Sequence, residues 1–371
     1  MTAVRRAFLK NSAAALLGAA FPAIHFAQTP AAAERRFTPQ PGSWRTFEVT
    51  TRVDIVKPQG VTKVWLPVPS VNTDYQQSLE SAFSSNGQAR MTDDDKQGVK
   101  MLYAEFAVSE AQPFVEITSR VLTQNRAVDW SRKQPATLDA ADRAYWTQAT
   151  ALLPTDGIVR ETALAATQGA RTDVDKARAL YDWVVNNTYR EPKVRGCGEG
   201  DIKTMLETRN LGGKCADLNA LYVGLCRSIG IPARDVYGIR LVRSEFGYKE
   251  LSGNPASLKG AQHCRAEVFL KDHGWVAMDP ADVAKVMRLE TPEWIKTTQH
   301  PVVAPVNSAL FGGWEGNWLG WNTAHDVALP HTTGPKLGFF MYPTAENAEG
   351  RFDSYAPDDF KYQISAREIK A

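Results

Sequence analysis

Residues 212–232, GGKCADLNALYVGLCRSIGIP, place a cysteine where it could act as a nucleophile. Cys215 follows two glycines, and the helical pattern after it stops at Gly230, with Pro232 blocking its continuation. Cys215 therefore lies in a first helical turn, where unpaired N–H groups and the helix dipole favour a thiolate. The alternative is a buried structural cysteine, since free cysteines are mostly buried. The apolar face that we expect to be buried comprises Leu218, Leu221, Tyr222, Leu225, Cys226 and Ile229.

Two further residues complete a set that suits thiol chemistry. His263 directly precedes a strand-like run, and Asp279 ends the next one. A turn at 271–274 joins the two runs as a hairpin, so both residues fall at the same end of it. A thiol needs a base, and the base needs a carboxylate to orient it. The sequence therefore predicts a triad of Cys215, His263 and Asp279. Each residue taken alone has an ordinary explanation: His263 could be a core or surface residue, and Asp279 could be part of a turn.

The elements around this set predict an α+β core, with the Cys215 helix packed on an antiparallel sheet. Apolar periodicity predicts four earlier helices, at 138–152, 157–169, 172–187 and 201–207. The third begins with a Thr-x-x-Asp capping signal at Thr172. Strands are expected at 234–242, 265–270 and 275–278.

Residues 44–130 predict a different architecture, an all-β sandwich-like domain. Short runs alternate between apolar and polar residues, for example from Phe47 to Ile55 and from Val115 to Val121. The polar region 72–96 between them predicts hairpin turns and loops. Nothing here has catalytic spacing, so we expect a scaffold or recognition role.

The carboxy-terminal part, from about Pro292, is rich in tryptophan and glycine, with strand-like runs at 337–342 and 360–369. We expect Trp314, Trp318 and Trp321 to be core or interface residues, because large aromatic side chains mostly serve burial. The alternative is that they line a substrate groove. The expected organisation is a leader at 1–33, the β domain at 36–130, a helical connector at 131–170, the core at 171–290 and a β extension packing on the core at 291–371.

Three segments together resemble a known family: GGKCADLNALYVGLCRSIGIPAR, HCRAEVFL and GWVAMDP, within residues 170–285. They resemble the transglutaminase-like superfamily, relatives of papain-type cysteine proteases. The order of leader, β domain, core and tryptophan-rich carboxy-terminal part is similar to that of bacterial exported transglutaminase-like proteins. The resemblance implies that Cys215 is the nucleophile, His263 the base and Asp279 the orienting acid. It also implies an oxyanion site at the Cys215 backbone N–H with an upstream side chain, for which Tyr189 is a candidate.

The same resemblance implies a reaction in which an amide acylates the cysteine. Water or an amine then resolves the thioester, and we expect hydrolysis of a peptide or isopeptide amide rather than amine transfer. A different hypothesis is a non-catalytic module that binds cell-wall or protein partners through a tryptophan-rich surface. Loss of binding on replacing the tryptophans, and its survival in Cys215→Ala, would identify such a module.

Composition and the amino terminus indicate where the protein works. The chain has 371 residues, with 43% hydrophobic and 23% charged residues and a formal charge of +2, which gives no argument for nucleic-acid binding. Arg5-Arg6, the apolar run 13–24 and Ala31-Ala32-Ala33 resemble a twin-arginine export signal, so we expect a mature chain from near Glu34 in the periplasm or outside the cell. A disordered basic leader is the alternative. No later run is apolar and long enough to predict membrane insertion.

The four cysteines also need an interpretation, because the expected compartment is oxidising. Cys226 belongs to the buried helix face, so a bridge between Cys197 and Cys264 is the expected disulfide, although the sequence does not fix connectivity. A bridge to Cys215 instead would inactivate the triad. No C-x-x-C pair indicates zinc, and no acidic cluster indicates calcium, so the sequence predicts no metal and no cofactor.

Overall fold

The amino-terminal region is built almost entirely from strands. The computed structural model describes residues 35–56, 58–94, 98–356 and 360–370, so the predicted export signal lies outside the described residues. The strands of this region are β1 (Arg45–Asp54), β2 (Thr62–Val68), β3 (Gln76–Ser85), β4 (Gln88–Asp94), β5 (Val99–Phe106), β6 (Phe114–Thr123) and β7 (Arg126–Ala127).

A mainly helical region follows. Its first helix is shorter than the predicted 138–152, because the chain becomes extended at Gln148. The predicted cap of the third helix is present: Thr172 Oγ1 accepts from the Asp175 N–H, and the Asp175 carboxylate accepts from the Thr172 N–H. The elements are α1 (Ala140–Thr147), α2 (Gly157–Ala166), α3 (Asp173–Asn187), β8 (Tyr189–Arg190), α4 (Ile202–Thr208), β9 (Gly212–Gly213) and α5 (Cys215–Ser228).

Antiparallel strands and two helices complete the order of elements. They are β10 (Ala233–Arg240), β11 (Gln262–Leu270), β12 (Gly274–Met278), α6 (Pro280–Leu289), α7 (Ala304–Ala309), β13 (Gly313–Trp314), β14 (Trp318–Asn322), β15 (His325–Val327), β16 (Leu337–Phe339), β17 (Thr344–Asn347), β18 (Gly350–Arg351) and β19 (Lys361–Ile369). In the described ranges, no helix combines the length and the apolar character that crossing a membrane requires.

The predicted α+β class is confirmed, with a β sandwich next to a mixed core. One sandwich sheet has the order β19-β1-β6-β3 and the other β18-β17-β2-β5-β4. Inward residues of both sheets, such as Val49 of β1 and Leu66 of β2, share one apolar cluster. The carboxy-terminal residues contribute to both parts, because β19 pairs with β1, β17 pairs with β2, and β14 joins the core sheet.

The prediction of only turns and loops at 72–96 was wrong, because this region contains β3 and β4. Both strands are at the edges of their sheets, and β3 exposes most of its residues. An edge strand with little buried surface needs few apolar side chains, so it lacks the alternation by which strands are found.

Helix α5 forms the centre of the core. It packs on β10 and β11 of the sheet β12-β11-β10-β14 and against α2, α3 and α6. The sequence predicted one buried face, but every residue from Cys215 to Ser228 is buried. Polar side chains such as Asn219 and Arg227 are therefore inside the protein, where they need hydrogen-bond partners.

A buried ion pair connects the sandwich region to the core sheet, and we predict a large loss of stability when it is broken. Arg126 of β7 binds the Glu267 carboxylate of β11 and the Trp275 carbonyl, and Arg234 lies 2.6 Å from the other oxygen of Glu267. Arg126→Ala is expected to lower the free energy of unfolding by about 3–5 kcal/mol, because it leaves a buried carboxylate with one partner fewer.

Urea unfolding followed by tryptophan fluorescence measures this loss. The matched control is Arg120→Ala, which breaks the more exposed ion pair with Glu48. It should lose much less stability, because exposed pairs are screened by water. Equal losses in the two variants would contradict a structural role for the Arg126–Glu267 pair.

Candidate active site

Cys215 is the first residue of α5, held there by a network around Asp217. One Asp217 oxygen accepts from the Lys214 N–H at 2.8 Å, and the other accepts from the Glu199 and Gly200 N–H groups at 2.9 Å each. A Cβ at Gly213 would lie only 2.6 Å from the Asp217 Cβ, which explains a glycine before the helix. As the first helical residue, Cys215 has an N–H without an acceptor inside the helix.

The structure brings Cys215, His263 and Asp279 together. His263 is the second residue of β11, and Asp279 follows β12 as the N-cap of α6. His263 Nε2 lies 2.7 Å from Asp279 Oδ2, and the imidazole lines the same small cavity as the Cys215 thiol and is close enough to lower its pKa. Since Nε2 faces the carboxylate, Nδ1 is the nitrogen left for the sulfur.

Asp279 uses both of its oxygens as acceptors. Besides His263 at Oδ2, Oδ1 accepts from Asn219 Nδ2 at 3.2 Å and from the Asp282 N–H at 3.1 Å. Asn219 lies four residues after Cys215, on the same face of α5, so one helix carries both the thiol and a donor that orients the carboxylate. The His263 backbone is also fixed, because its carbonyl accepts from the Trp318 indole at 2.8 Å.

The surroundings favour a charged thiolate and a charged imidazole. Hydrogen bonding with Cys197, Cys264 and His263 lowers the pKa of Cys215 well below its ordinary value, against the opposing effect of burial. Burial lowers the pKa of His263, but the negative charges of Asp282 and Asp279 outweigh it, so the net pKa is raised. A thiol pKa that falls and an imidazole pKa that rises are the condition for a thiolate–imidazolium pair at neutral pH.

A second carboxylate, Asp282, supports the first. Arg240 Nη2 binds both Asp282 oxygens, at 2.5 and 2.6 Å, and Asp282 Oδ2 lies 3.4 Å from His263 Nε2. Burial raises the pKa of Asp282, but the Arg240 charge outweighs it and the pKa is lowered. Ligand atoms of His263, Asp279 and Asp282 lie within 4.8 Å of one another, close enough for a metal. Because Arg240 already occupies both Asp282 oxygens, we interpret the cluster as an ion-pair network.

The cysteines are arranged differently from the expected Cys197–Cys264 bridge. All four are free thiols in the structure, and Cys197 and Cys264 both hydrogen-bond with Cys215. Cys197 Sγ also lies 3.3 Å from the Gln262 carbonyl. Cys226 is fully buried, as expected for a core residue, and burial raises its pKa.

Comparison with known proteins places this geometry in a family. Residues 160–280 match the model of the transglutaminase-like superfamily. An uncharacterised protein of Haemophilus influenzae is 34% identical over 343 residues, which cover 87% of this chain and 91% of that protein. This chain belongs to the transglutaminase-like superfamily. The crystal structure of a candidate cysteine protease from Cytophaga hutchinsonii shares the fold, with a TM-score of 0.55 at 14% identity, covering 90% of this chain and 93% of that one.

The three tryptophans of the carboxy-terminal part that were assigned to the core or to a groove lie inside the protein. Trp314, Trp318 and Trp321 are 1%, 2% and 2% exposed, in agreement with the expectation of core residues. They cannot form the tryptophan-rich surface that the binding-module hypothesis requires.

Tyr189, the oxyanion candidate implied by the family resemblance, begins β8. Its ring packs against Trp294 with the ring centroids 5.6 Å apart, and it covers Gly212. The small cavity beside Cys215 and His263 is lined instead by its neighbour Arg190. The oxyanion role of Tyr189 stays a prediction.

Sequence reasoning missed several residues around the triad and the cavity beside it. The volume of this cavity is about 60 Å³, and its lining includes Arg190, Arg240, Gln262 and Lys285 beside Cys215 and His263. A local signal existed for Asn219, a polar residue one turn after the cysteine, and for Arg240, a charge within an apolar strand. No local pattern links Arg190 or Gln262 to Cys215, because the fold alone brings them together.

Because both oxygens of Asp279 accept hydrogen bonds, its replacement by asparagine has a specific expected result. In Asp279→Asn, one acceptor becomes an NH₂ group that faces either His263 or the two donors of Asn219 and Asp282. Each buried donor left unpaired costs about 1–3 kcal/mol. We therefore expect Asp279→Asn to lower the free energy of unfolding by a similar amount and to slow alkylation of Cys215 at neutral pH.

Both effects are measurable on one preparation, by urea unfolding and by iodoacetamide labelling. Asp173→Asn, an exposed replacement in the first turn of α3, is the control and should change neither. Wild-type stability and labelling in Asp279→Asn would contradict the hydrogen-bond assignment.

Proposed function

We propose that this protein is an exported thiol hydrolase or acyltransferase that acts on a peptide or isopeptide amide. The observation that carries the proposal is the buried arrangement of Cys215, His263 and Asp279, with the thiol pKa lowered and the imidazole pKa raised. Membership of the transglutaminase-like superfamily supports the thiol chemistry. The twin-arginine-like pattern at Arg5-Arg6 supports export to the periplasm.

The reaction follows from the roles that these groups can take. The Cys215 thiolate attacks the amide carbonyl, and the negative charge develops on the carbonyl oxygen near the helix N-terminus. The C–N bond then breaks as imidazolium His263 gives its proton to the leaving amine, which leaves a Cys215 thioester. Neutral His263 next takes a proton from water, and the resulting hydroxide attacks the thioester and releases the carboxylic acid and Cys215. An amine in place of water would give transfer, and we favour hydrolysis because water is abundant in the periplasm.

The cavity limits how a substrate reaches the sulfur. Cys215 is 2% exposed, and 60 Å³ is too small for a peptide. Ser252, Gly260 and Ala261, which line the cavity, belong to the connection between β10 and β11. Binding of a peptide therefore requires neighbouring segments such as this connection to move, as loops do over many active sites.

Trapping the thioester tests the proposed function. The mature chain from Glu34 is incubated with peptide and isopeptide amide libraries, quenched in acid and analysed by intact mass and peptide mapping. We expect an acyl adduct on Cys215, products that incorporate ¹⁸O from labelled water, and neither in Cys215→Ala. If amine adducts replace the ¹⁸O product when a primary amine is added, the protein is a transferase. Products without any dependence on Cys215 would overturn the proposal.

A further inference from the structure

The cavity beside Cys215 is lined by several basic side chains, and not all of them have a carboxylate partner. Of its three arginine and lysine side chains, Arg240 is paired with Asp282, and Lys285 lies 3.5 Å from the Glu250 carboxylate. Among the described residues, no acidic side chain lies within 4.0 Å of the Arg190 guanidinium. Arg190 is therefore the one arginine or lysine of this cavity without a carboxylate partner in the described part of the chain.

Two buried side-chain donors, on opposite sides of the cavity, are available to a bound group. Arg190 Nε, on β8, is buried and has no hydrogen-bond partner within the ranges described, and Gln262 Nε2, on β11, has only the Tyr362 hydroxyl near it. The Gln262 side-chain oxygen is in use, since it accepts from the Gly260 N–H at 2.9 Å, and the residue is only 6% exposed. Buried donors are normally paired, so an acceptor group from outside the protein would complete this site.

The effect of Arg190 on the pKa values of its neighbours indicates the charge of the group that would bind in this cavity. Burial, followed by the Arg190 charge, lowers the pKa of Lys214. Burial and the charge of Arg240, with a further contribution from Arg190, lower the pKa of Lys285. Cations that disfavour one another around a small cavity are relieved by a bound anion.

We infer that this cavity is a subsite for a carboxylate of the substrate, held by Arg190 with a hydrogen bond from Gln262, beside the amide that Cys215 attacks. A guanidinium matches a carboxylate in charge and in its planar, bidentate geometry. A cavity of 60 Å³ holds a group of a few atoms, the size of a carboxylate. The substrate class is thus a peptide with a free carboxylate, terminal or on an acidic side chain, close to the cleaved amide. This inference rests on the proposed function, because it requires Cys215 to react.

Two alkylating reagents test the subsite before any substrate is known. Iodoacetate and iodoacetamide react with the same thiolate and differ in whether a carboxylate lies next to the reactive carbon. The ratio of their rate constants at Cys215 therefore cancels any change in the thiolate fraction. Relative to the same cysteine in urea-unfolded protein, we expect a raised ratio in the folded wild type. Arg190→Gln should lower this ratio by roughly tenfold, as for loss of a charged hydrogen bond, and Arg190→Lys should keep most of it.

Arg367→Gln is the matched control, because it removes an exposed arginine on β19, and its ratio should equal that of the wild type. A second measurement needs no variant: sodium acetate should slow iodoacetamide labelling of wild-type Cys215 more than sodium chloride does at the same concentration. If Arg190→Gln slows both reagents equally and acetate gives no protection, Arg190 acts only on the thiolate, and the carboxylate subsite is wrong while the proposed function stands. If folded wild-type Cys215 gives neither labelling by iodoacetamide nor an acyl adduct with any amide of the libraries, the proposed function falls, and the subsite falls with it.

Discussion

Serine in place of Cys215 is expected to lower the turnover of peptide amides by about 10⁵–10⁶-fold while leaving the protein folded. Hydrogen bonding with Cys197, Cys264 and His263 lowers the pKa of the wild-type thiol, which favours the thiolate before a substrate arrives. A serine hydroxyl stays protonated beside the same imidazole, so the attack would need a proton transfer that this site is not arranged to make easy. Position 215 is buried, but serine differs from cysteine only in having oxygen in place of sulfur and is slightly smaller. It therefore fits the site with little repacking.

The measurement is kcat for a substrate found by thioester trapping, together with a urea unfolding curve. Cys226→Ala is the matched control, since Cys226 is a buried cysteine of the same helix whose pKa is raised by burial. It should keep turnover within a few-fold of the wild type. Comparable turnover in Cys215→Ser and the wild type would show that Cys215 is not the nucleophile.

The sequence predicted the parts of the site whose geometry is local. The Gly-Gly pair and the helical period placed Cys215 at a helix start, and one hairpin placed His263 and Asp279 at the same end. Both predictions depend on residues within about 20 positions of each other along the chain, where period and turn chemistry determine the geometry. The structure adds that Asp279 is an N-cap, a role that its place before Pro280 already indicated.

The parts that could not be predicted depend on contacts between distant residues. Strand β19 pairs with β1, so Ile369 lies opposite Thr46, and no local pattern specifies such a partner. The same holds for the cavity, where Arg190 lies before the Cys215 helix and Gln262 after strand β10. The complete burial of α5 could not be predicted either. Its polar residues suggested a solvent face, but Asn219 and Arg227 are hydrogen-bonded to groups of other elements inside the core.

Removal of the imidazole in His263→Ala is expected to move the pH profile of Cys215 alkylation to higher pH and to lower turnover by about 10²–10⁴-fold. Alkylation follows the thiolate, so in the wild type its rate rises with pH through the lowered Cys215 pKa. Without His263, the sulfur loses a positive neighbour, and Asp279 and Asp282 lose the imidazolium between them and the thiol. Both changes raise the thiol pKa, so the labelling rate at pH 6 should fall most.

In His263→Ala, the pKa of Cys215 should rise but stay below the ordinary thiol pKa of about 8.5. Hydrogen bonding with Cys197 and Cys264 remains in the variant and also stabilises the thiolate. Iodoacetamide labelling from pH 4 to 10, mapped by mass spectrometry, measures the profile. His273→Ala is the control, because His273 lies in the turn between β11 and β12 and packs on Trp130. If the profile of His263→Ala equals that of the wild type, the two neighbouring thiols alone hold the thiolate. His263 would then act only as the proton carrier of the later steps, and its loss would lower turnover without moving the thiol pKa.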